Sequence, residues 1–262
     1  MPSRNIYLRV PATCRPVTIR EAAATRITEP VEEYVEGIWR LQKQVATVGT
    51  GEIAQYMNVA PASVTPMLKR MATLGLVEHR PYQGVRCTDK GEALAVELLR
   101  RHRLIECLLV DFLKLPWHGV HDLACKLEHY IGPDVADHIA RALGSPSRCP
   151  HGNPILDTTP DGSIPLGDLP VPAAAEVVKI TDEREEFLRY LTTLSLVPGT
   201  RVELVGRTPF GDVLTLRIEG REEPVAVGGE VSASVYVQSI GDGSCNEGST
   251  PVRKAHAKDT VL

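Results

Sequence analysis

The stretch that most constrains the fold runs from residue 50 to residue 88, where four short segments follow one another. Thr50 is suited to cap a short helical segment, GEIAQYM, and a turn at Asn58 precedes a second one, ASVTPMLKRMATL. Gly75 ends the second segment, because glycine accepts the left-handed backbone that closes many helices. LVEHRPYQGVRCT then has the pattern of two short strands around a turn at 81–84. A short helix, a turn, a second helix and a hairpin are the parts of a winged helix-turn-helix, in its order.

Helical periodicity flanks this motif on both sides. Before it, Thr28 begins a helix whose apolar residues recur every three or four positions. After it, further helices are predicted over about 89–113, 118–131 and 133–143, with Pro and Gly between them. Residues 28–143 are therefore expected to be mainly helical, apart from the hairpin.

The pattern changes after residue 144. Pro, Gly, Asp and Ser dominate up to about residue 176, which indicates a linker. AEVVKI, TRVELVGR, DVLTLRIEG and EPVAVG then alternate like strands, with one helical segment, EEFLRYLTTL, among them. The block 176–240 is therefore predicted to form a small, mostly β, SH3-like barrel.

Composition limits the classes of function. A net charge of -4 argues against a nonspecific basic coat for nucleic acid, although it leaves room for a local DNA-reading element. The six cysteines are irregularly spaced and form no Cys-x-x-Cys pair, which is typical of a reducing, intracellular compartment. No apolar run approaches the roughly 18 residues of a membrane span, and no signal peptide is evident. A cytoplasmic protein without membrane contact is expected.

Metal-capable side chains concentrate on three predicted helices. Residues three and four apart share one face of a helix, and each of these helices carries such a set. Thiolate, carboxylate and imidazole groups together bind divalent transition metals. The candidates are Glu33 and Glu36 on the first helix, His102 and Glu106 in RHRLIE, and His121, Cys125, Glu128 and His129 in HDLACKLEH.

Each of these sets also has a structural interpretation. A His–Glu pair is usually solvated, a lone helical Cys is usually a small buried hydrophobe, and an acidic helix start is favoured by the helix dipole. Three such faces behind one winged helix-turn-helix favour a metal site, but the residues alone leave both interpretations open. Cys149 and His151 form a Cys-x-His pair in CPHGNP, which we interpret as part of a turn.

The winged helix-turn-helix itself has about as many acids as bases over 28–96, so its field attracts DNA only weakly. A winged helix that mediates only protein contacts is the alternative. Pro66 interrupts the second helix, so that helix is expected to start late, near Ser63. The candidate DNA contacts are Ala62, Ser63 and Thr65 for base edges and methyl groups, and Lys69, Arg70, Arg80, Arg86 and Lys90 for phosphates.

Five segments resemble the diphtheria toxin repressor family of metal-dependent transcriptional regulators, in its order and spacing from about 28 to 155. They are EEYVEGIWRL, APASVTPMLKRMATLGLVE, RHRLIECLL, VHDLACKLEHYI and PHGNPI. The block 176–240 resembles the family's SH3-like domain more loosely, and both chain ends fall outside the resemblance. The resemblance implies a homodimer that binds double-stranded operator DNA when loaded with metal, and that usually represses metal-uptake genes.

The resemblance also implies two neighbouring metal sites. A metal in the first site is expected to fix the DNA-reading helices against the dimerisation helices, so that two subunits match successive major-groove faces. The second site sometimes includes a side chain of the SH3-like domain, here Asp182 or Glu183. By similarity the first site takes Glu33, Cys125, Glu128 and His129, and the second takes His102, Glu106 and His121.

The ligand set combines two branches of the family. Glu33 stands where iron-type members typically carry Met, and Glu36 matches a second acid of the manganese type. Cys125, in contrast, matches the iron type. Because carboxylate oxygen suits manganese, the set favours Mn(II), with Fe(II) next.

These observations predict a mainly α protein with a winged helix-turn-helix domain, a helical dimerisation and metal-binding domain, and a small C-terminal SH3-like β-barrel. Two rival functions remain: a metal carrier or metalloenzyme that uses the helix-turn-helix for packing, and a winged-helix regulator that senses an organic ligand. No nucleophile–base pair or phosphate-binding glycine loop supports an enzyme. The predicted divisions are an arm (1–27), the winged helix-turn-helix (28–96), the helical domain (97–145), a linker (146–175), the SH3-like domain (176–240) and a disordered tail (241–262).

Overall fold

The computed structural model describes residues 27–80, 83–156, 161–209 and 212–240. The chain divides into two compact units, residues 1–92 and residues 93–262. The predicted arm, except for its last residue, and the predicted tail lie outside the described residues. Within the described ranges, no helix has the length and apolarity needed to cross a membrane.

The first unit contains the predicted helix-turn-helix and hairpin. Its elements are α1 (Glu29–Gln42), α2 (Thr50–Tyr56), α3 (Pro61–Thr73), β1 (Val77–Arg80), β2 (Gly84–Cys87) and the start of α4 (Asp89–Cys107). β1 and β2 pair antiparallel, and Val48 adds a bridge to Val85 through two backbone hydrogen bonds of 2.9 Å. The winged helix-turn-helix expected from the sequence is therefore present.

Short-range capping fixes the turns around α2 and α3. The carboxylate of Glu52 accepts a hydrogen bond of 2.7 Å from the backbone N–H of Gly49, so Gly49 rather than Thr50 occupies the cap position of α2. Asn58 has a φ of 50° in the turn between the helices, and Gly75 has a φ of 71° after α3. The two turns lie where the sequence predicts them.

Pro66 lies well inside α3, which differs from the expected late start near Ser63. The helix begins at Pro61, because proline suits the first helical position. Pro66 has no N–H, so the carbonyl of Ala62 lacks its helical partner. The buried residue Val64 faces the core, whereas Pro66 is exposed, and the lost bond therefore falls on the solvated side.

The helices of the second unit are the remainder of α4, α5 (His121–Leu127) and α6 (Pro133–Ala142), with a π-helical turn at Leu108–Phe112 and a 3-10 turn at Trp117–Gly119. α4 ends at Cys107, earlier than the predicted end near 113, because the chain widens into the π-helical turn. Lys114 then takes a φ of 59°, which breaks the helical path. α5 is likewise shorter than its predicted span of 118–131.

The C-terminal part of the second unit is a six-stranded antiparallel sheet. Its strands are β3 (Ile164–Pro165), β4 (Ala173–Ile180), β5 (Arg201–Arg207), β6 (Leu214–Ile218), β7 (Val225–Val227) and β8 (Val235–Ser239), with α7 (Glu185–Leu194) after β4 and α8 (Gly229–Ser234) before β8. The strand order is β3-β8-β4-β5-β6-β7. Buried and exposed residues alternate along β6, and the buried ones share a core with Leu188 of α7. The expected mostly β block with a helix at EEFLRYLTTL is confirmed, and α8 is a second helix that the sequence did not predict.

The structure differs from the sequence prediction within 146–175, which was expected to be a linker. β3 and the 3-10 turn Leu166–Asp168 lie in this stretch, and Leu166 and Leu169 are buried in the core of the sheet. β4 also begins at Ala173, before the predicted domain start. Apolar residues are sparse among the prolines and glycines of this stretch. Its composition therefore does not reveal that Leu166 and Leu169 pack in the core.

Candidate metal centre and nucleic-acid interface

Glu106 of α4 is fully buried and lies among three imidazoles. Its Oε1 is 3.0 Å from Nε2 of His102, 3.1 Å from Nδ1 of His151 and 3.7 Å from Nδ1 of His121. Its Oε2 makes no hydrogen bond to any residue that the structure describes. A buried carboxylate with a spare lone pair among imidazoles has the donor chemistry of a transition-metal ligand.

Two helices each present a pair of these groups at a spacing of four residues. α4 presents His102 and Glu106, and α5 presents His121 and Cys125. The Sγ of Cys125 is 3.6 Å from Nε2 of His121 and 3.9 Å from Nδ1 of His102. The same Nδ1 lies 2.7 Å from Oε2 of Glu128. One imidazole, that of His102, therefore contacts members of both ligand sets implied by the resemblance.

The C-terminal part of the unit contributes one carboxylate to this group. Oε2 of Glu183 is 2.8 Å from Nδ1 of His121 and 4.0 Å from Nε2 of His102. Asp182 instead pairs with Arg184, whose Nε donates to it over 2.9 Å. Of the two acids considered from the sequence, Glu183 is the one that joins the imidazoles.

Cys149 and His151 also lie in this group, although the sequence led us to interpret them as turn residues. Ligand atoms of Glu106, Cys149, His151 and Glu183 all lie within 4.8 Å of one another, as do those of His102, Glu106, His121 and Glu183. The Cys-x-His spacing of CPHGNP was the signal that could have found them. We call the six residues His102, Glu106, His121, Cys149, His151 and Glu183 the buried cluster.

A tight loop places Cys149 and His151. The backbone N–H of Ile180 donates to the carbonyl of His151 over 2.8 Å, which fixes the loop against β4. Nε2 of His151 donates to the carbonyl of Trp117 over 2.9 Å, and the two rings lie 5.5 Å apart. Gly152 has a φ of 82° and approaches β4 closely. The loop therefore depends on contacts that are distant in sequence.

Burial and close pairing shift the pKa values of the cluster. Burial alone would raise the pKa of Glu106, but His151 and His102 hold it well below its ordinary value. Burial would lower the pKa of His121, yet its bonds to Cys125, Glu106 and Glu183 raise it to about 12. These shifts favour ionised carboxylates beside protonated imidazoles, an arrangement in which a cation can take the place of protons.

The buried cluster fits a divalent cation on two counts. Its imidazole, carboxylate and thiol groups are the ligand types that transition metals prefer. Among the described residues, the buried Oε2 of Glu106 makes no hydrogen bond, whereas Nδ1 of His121 and Nδ1 of His151 face carboxylates at 2.8 and 3.1 Å. Buried polar atoms are seldom left without a partner, so this oxygen is open to a ligand.

The other metal candidates remain predictions. Glu33 and Glu36 lie on α1 in the first unit, where Glu33 is exposed and Glu36 forms a 2.7 Å ion pair with Arg40. In the second unit, Nε2 of His129 lies 3.6 Å from Oε1 of Glu128, next to the buried cluster.

The candidate DNA contacts lie on α3 and on the hairpin. Val64, Leu68 and Met71 bury one face of α3, and the opposite face is open to solvent. Arg86 of the hairpin forms a 2.9 Å ion pair with Glu78. Ala62, Ser63, Thr65, Lys69, Arg80, Arg86 and Lys90 are exposed and Arg70 is half-buried. The exposed face of α3 is thus the one that carries the candidates for base contacts.

A winged helix-turn-helix followed by helices that carry a buried set of metal-type ligands defines a metal-responsive DNA-binding protein. Family models support this class along most of the chain. They describe an iron-dependent repressor N-terminal DNA-binding domain at residues 26–85, an iron-dependent repressor metal-binding and dimerisation domain at residues 88–157, and a FeoA domain at residues 164–239.

Individual relatives agree with the family models. The iron-dependent repressor IdeR of Mycobacterium tuberculosis is 32% identical over 230 residues, which are 82% of this chain and 99% of the relative. The diphtheria toxin repressor of Corynebacterium diphtheriae is 30% identical over 196 residues, 69% of this chain and 86% of that protein. The chain belongs to the iron-dependent repressor family of metal-dependent transcriptional regulators.

Solved structures share this fold. A manganese-dependent transcriptional repressor in complex with manganese has a TM-score of 0.72 and 28% identity, covering 80% of this chain and 100% of that one. ScaR with bound Zn²⁺ has a TM-score of 0.69 and 26% identity, covering 80% of this chain and 99% of that one.

Gly152→Ala is expected to destabilise the second unit by roughly 3 kcal/mol. The new Cβ would lie 2.0 Å from the carbonyl oxygen of Val178 and 2.8 Å from Cα of Lys179. About 1 kcal/mol comes from the left-handed backbone and about 2 kcal/mol from the clash. Gly220→Ala is the matched control, because Gly220 has a φ of 83° and open space around it. Urea denaturation measures both, and equal losses in the two variants would contradict the packing argument.

Proposed function

We propose that the chain is a homodimeric, cytoplasmic repressor of metal-uptake genes, whose binding to operator DNA requires a divalent cation. The observation that carries the proposal is Glu106, a fully buried carboxylate with one oxygen lacking a hydrogen-bond partner among the described residues and the other facing three imidazoles. Such a group costs stability unless something positive lies beside it. Family membership supplies the link from this ligand set to transcription.

His102, Glu106, His121 and Glu183 are the residues that would hold the cation on the α4–α5 side of the cluster. A bound divalent cation would supply positive charge beside the two carboxylates in place of the protons on the imidazoles. His102 connects this site to two other predicted metal ligands, because its Nδ1 contacts Glu128 and lies 3.9 Å from Cys125. The imidazole of His102 thus couples the cluster to the C-terminal end of α5.

Mn(II) is the favoured cation, with Fe(II) next. The α4–α5 side of the cluster offers two imidazoles and two carboxylates, which suit Mn(II) and Fe(II) alike. The relatives point both ways, since one is named for iron dependence and one solved structure for manganese. The sequence-based preference for Mn(II) rests on Glu33 and Glu36 and stays part of this proposal.

The N-terminal domain would read DNA through α3, and the chain would have no catalytic role. Ala62, Ser63 and Thr65 lie on the exposed side of α3, where base edges are within reach of a helix docked in the major groove. Lys69, Arg70, Arg80 and Arg86 would contact phosphates. The C-terminal sheet would be an SH3-like domain that supplies Glu183 to the cluster.

Operator binding across metals tests the proposal. Electrophoretic mobility shifts under anaerobic conditions, with Mn(II), Fe(II), Co(II) or Zn(II) and with a chelator, are expected to show binding only with metal. Binding that survives the chelator would favour a regulator that senses an organic ligand. Metal uptake without any DNA binding would favour a metal carrier.

Lys69→Ala is expected to weaken binding to all DNA sequences alike and to lower the salt dependence of log K by about 1 per protomer. Lys69 is exposed on α3, and loss of one phosphate contact releases one fewer counterion. Fluorescence anisotropy over a salt series measures the slope. Arg217→Ala, on the exposed side of β6, is the control and should leave the slope unchanged. An unaltered slope in Lys69→Ala would remove Lys69 from the phosphate contacts.

A further inference from the structure

We propose that the predicted arm, residues 1–27, is a second DNA-binding element, whose arginines contact the phosphates of the duplex that α3 reads. The proposal rests on the DNA binding of the proposed function, which assigns contacts to α3 and the hairpin alone. The family model of the DNA-binding domain begins at residue 26, so nearly all of the arm lies outside the family match. Two observations carry the proposal: the charge of the arm relative to that of the winged helix-turn-helix, and the place where the arm joins it.

Positive charge before residue 97 is concentrated in the arm. Residues 1–27 contain five arginines, one glutamate and no lysine, a net charge of +4. Residues 28–96, which we call the reading domain, contain seven basic and eight acidic residues, a net charge of -1. Affinity for DNA without sequence preference comes mainly from cations that displace counterions from phosphates, so the arm is better supplied for it than the reading domain. The arginines recur every five or six positions, at Arg4, Arg9, Arg15, Arg20 and Arg26.

Several cations of the reading domain already have partners within that domain. Arg86 pairs with Glu78 over 2.9 Å, and Nζ of Lys90 donates to the carbonyl of Leu74 over 2.9 Å. A cation with a carboxylate beside it adds little to the field that attracts DNA. The folded part of the reading domain therefore offers weaker electrostatic attraction than its count of basic residues suggests.

The arm joins the reading domain without a linker between them. Only two residues separate Arg26 from the start of α1. The carbonyl of Thr28 accepts a hydrogen bond of 2.8 Å from the backbone N–H of Val31, which fixes the junction. The far end of α1 is held on the hairpin, because the backbone N–H of Cys87 donates to the side chain of Gln42 over 2.7 Å. The arm is thus attached to a helix that packs against the wing.

The length of the arm is sufficient for its arginines to reach DNA bound by α3. An extended chain spans about 3.3–3.6 Å per residue, so Arg20 can lie up to about 28 Å from Thr28. A domain of about 65 residues has a radius of gyration of roughly 11 Å and therefore a diameter of roughly 28 Å. Arg15 and the arginines before it reach further still. Once α3 has docked, so short a tether keeps the arm at an effective concentration on the order of millimolar beside the duplex.

The chemistry of the arm favours phosphate over the other anionic surface that the chain offers. The planar guanidinium of arginine donates two parallel hydrogen bonds to a phosphate. The rival surface is the block 164–240, which contains twelve acidic and seven basic residues, a net charge of -5. Some of its acids already have partners, as Glu203 has in Arg217 at 3.2 Å. A duplex, in contrast, carries one negative charge per roughly 1.7 Å of its axis.

Four substitutions made together in the full chain test the arm: Arg4→Gln, Arg9→Gln, Arg15→Gln and Arg20→Gln. Fluorescence anisotropy over a salt series, on a duplex of random sequence, is expected to show a salt dependence of log K that is lower by about 3–4 per protomer. The loss of affinity relative to the parent should accordingly be roughly 100-fold greater at about 50 mM than at about 200 mM salt. Lysine at the same four positions should retain the parent slope, because it retains the charge.

The matched control removes the same charge elsewhere, with glutamine in place of four arginines that are exposed in the C-terminal part of the chain, and it should keep the parent slope. An unchanged slope in the arm variant would overturn the proposal, as would an equal loss in the control, which would show that only net charge matters. Tighter DNA binding by the arm variant would also overturn it and would favour pairing of the arm with acids of its own chain. The control positions are Arg189, Arg201, Arg217 and Arg221.

The outcomes separate this proposal from the proposed function. If the arm variant keeps the parent slope while operator binding still requires metal, the arm proposal is wrong and the repressor proposal stands. If the arm variant loses slope while operator binding ignores the chelator, the arm proposal stands and the metal requirement is wrong. Mobility shifts with Mn(II) and with chelator on the same preparations distinguish the two cases.

Discussion

Glu106→Gln is expected to weaken Mn(II) binding at least about 100-fold, equivalent to roughly 2.7 kcal/mol, and to abolish metal-dependent operator binding. The amide keeps the volume of the carboxylate but removes its charge from the centre of three imidazoles. Removing one partner from a buried charged group typically costs about 3–5 kcal/mol, because the remaining charges stay buried without compensation. The same substitution removes a ligand, so affinity and stability should fall together.

Isothermal titration with Mn(II) measures the affinity, and a mobility shift measures operator binding. Glu97→Gln is the matched control on the same helix, since Glu97 forms a partly exposed 3.1 Å ion pair with Arg101 that is worth at most about 1 kcal/mol. The control should bind metal and DNA as the parent does. Retention of the parent Mn(II) affinity by Glu106→Gln would place the metal elsewhere.

Removal of metal is expected to have the second largest effect. At Mn(II) about 1,000 times above its dissociation constant, preferential binding to the folded state stabilises a protein by about 4 kcal/mol. For a unit of this size, that difference corresponds to a shift in Tm of roughly 8–16 °C. A chelator should reverse the shift completely, because the unfolded chain does not bring α4, α5 and the loop at 149–153 together.

Calorimetry with Mn(II), with a chelator and with Mg(II) measures this effect. Mg(II) is the control cation, because it prefers octahedral oxygen ligands and keeps its waters, and it should shift the Tm little. The Glu106→Gln variant should lose most of the Mn(II) shift. Equal Tm values for the parent with Mn(II) and with chelator would show that the cluster is structural.

The helical part of the site could be predicted because its geometry is local. His102 and Glu106, and likewise His121 and Cys125, lie four residues apart on helices that the sequence pattern identifies. Two residues with this spacing lie on the same face of a helix, whatever the helix packs against.

The remainder of the buried cluster depends on tertiary contacts, and local spacing could not reveal it. Cys149 and His151 lie in a turn, whose side chains have no fixed direction until Gly152 packs on β4. The choice between Asp182 and Glu183 likewise depends on Arg184, which pairs with Asp182.

The fold, like the site, has parts that local sequence predicts and parts that depend on tertiary contacts. Capping and turn residues such as Asn58 and Gly75 identify the helix-turn-helix from the sequence alone. β3 and β8 were not identified as strands, because β3 is two residues long and β8 depends on its neighbours β3 and β4 in the sheet. The early end of α4 at Cys107 was missed because the π-helical turn Leu108–Phe112 is itself rich in apolar residues, so the sequence does not mark the change of helix type.

The contact between Trp117 and His151 gives the molecule a native optical reporter. The chain has two tryptophans, and the other, Trp39, belongs to the first unit. The indole of Trp117 is anchored by its N–H to Thr192 over 3.0 Å, and its own carbonyl receives the imidazole proton of His151. In a chain with Trp39 replaced by Phe, emission would come from this indole alone, so occupancy beside the loop could be followed in real time without an attached dye.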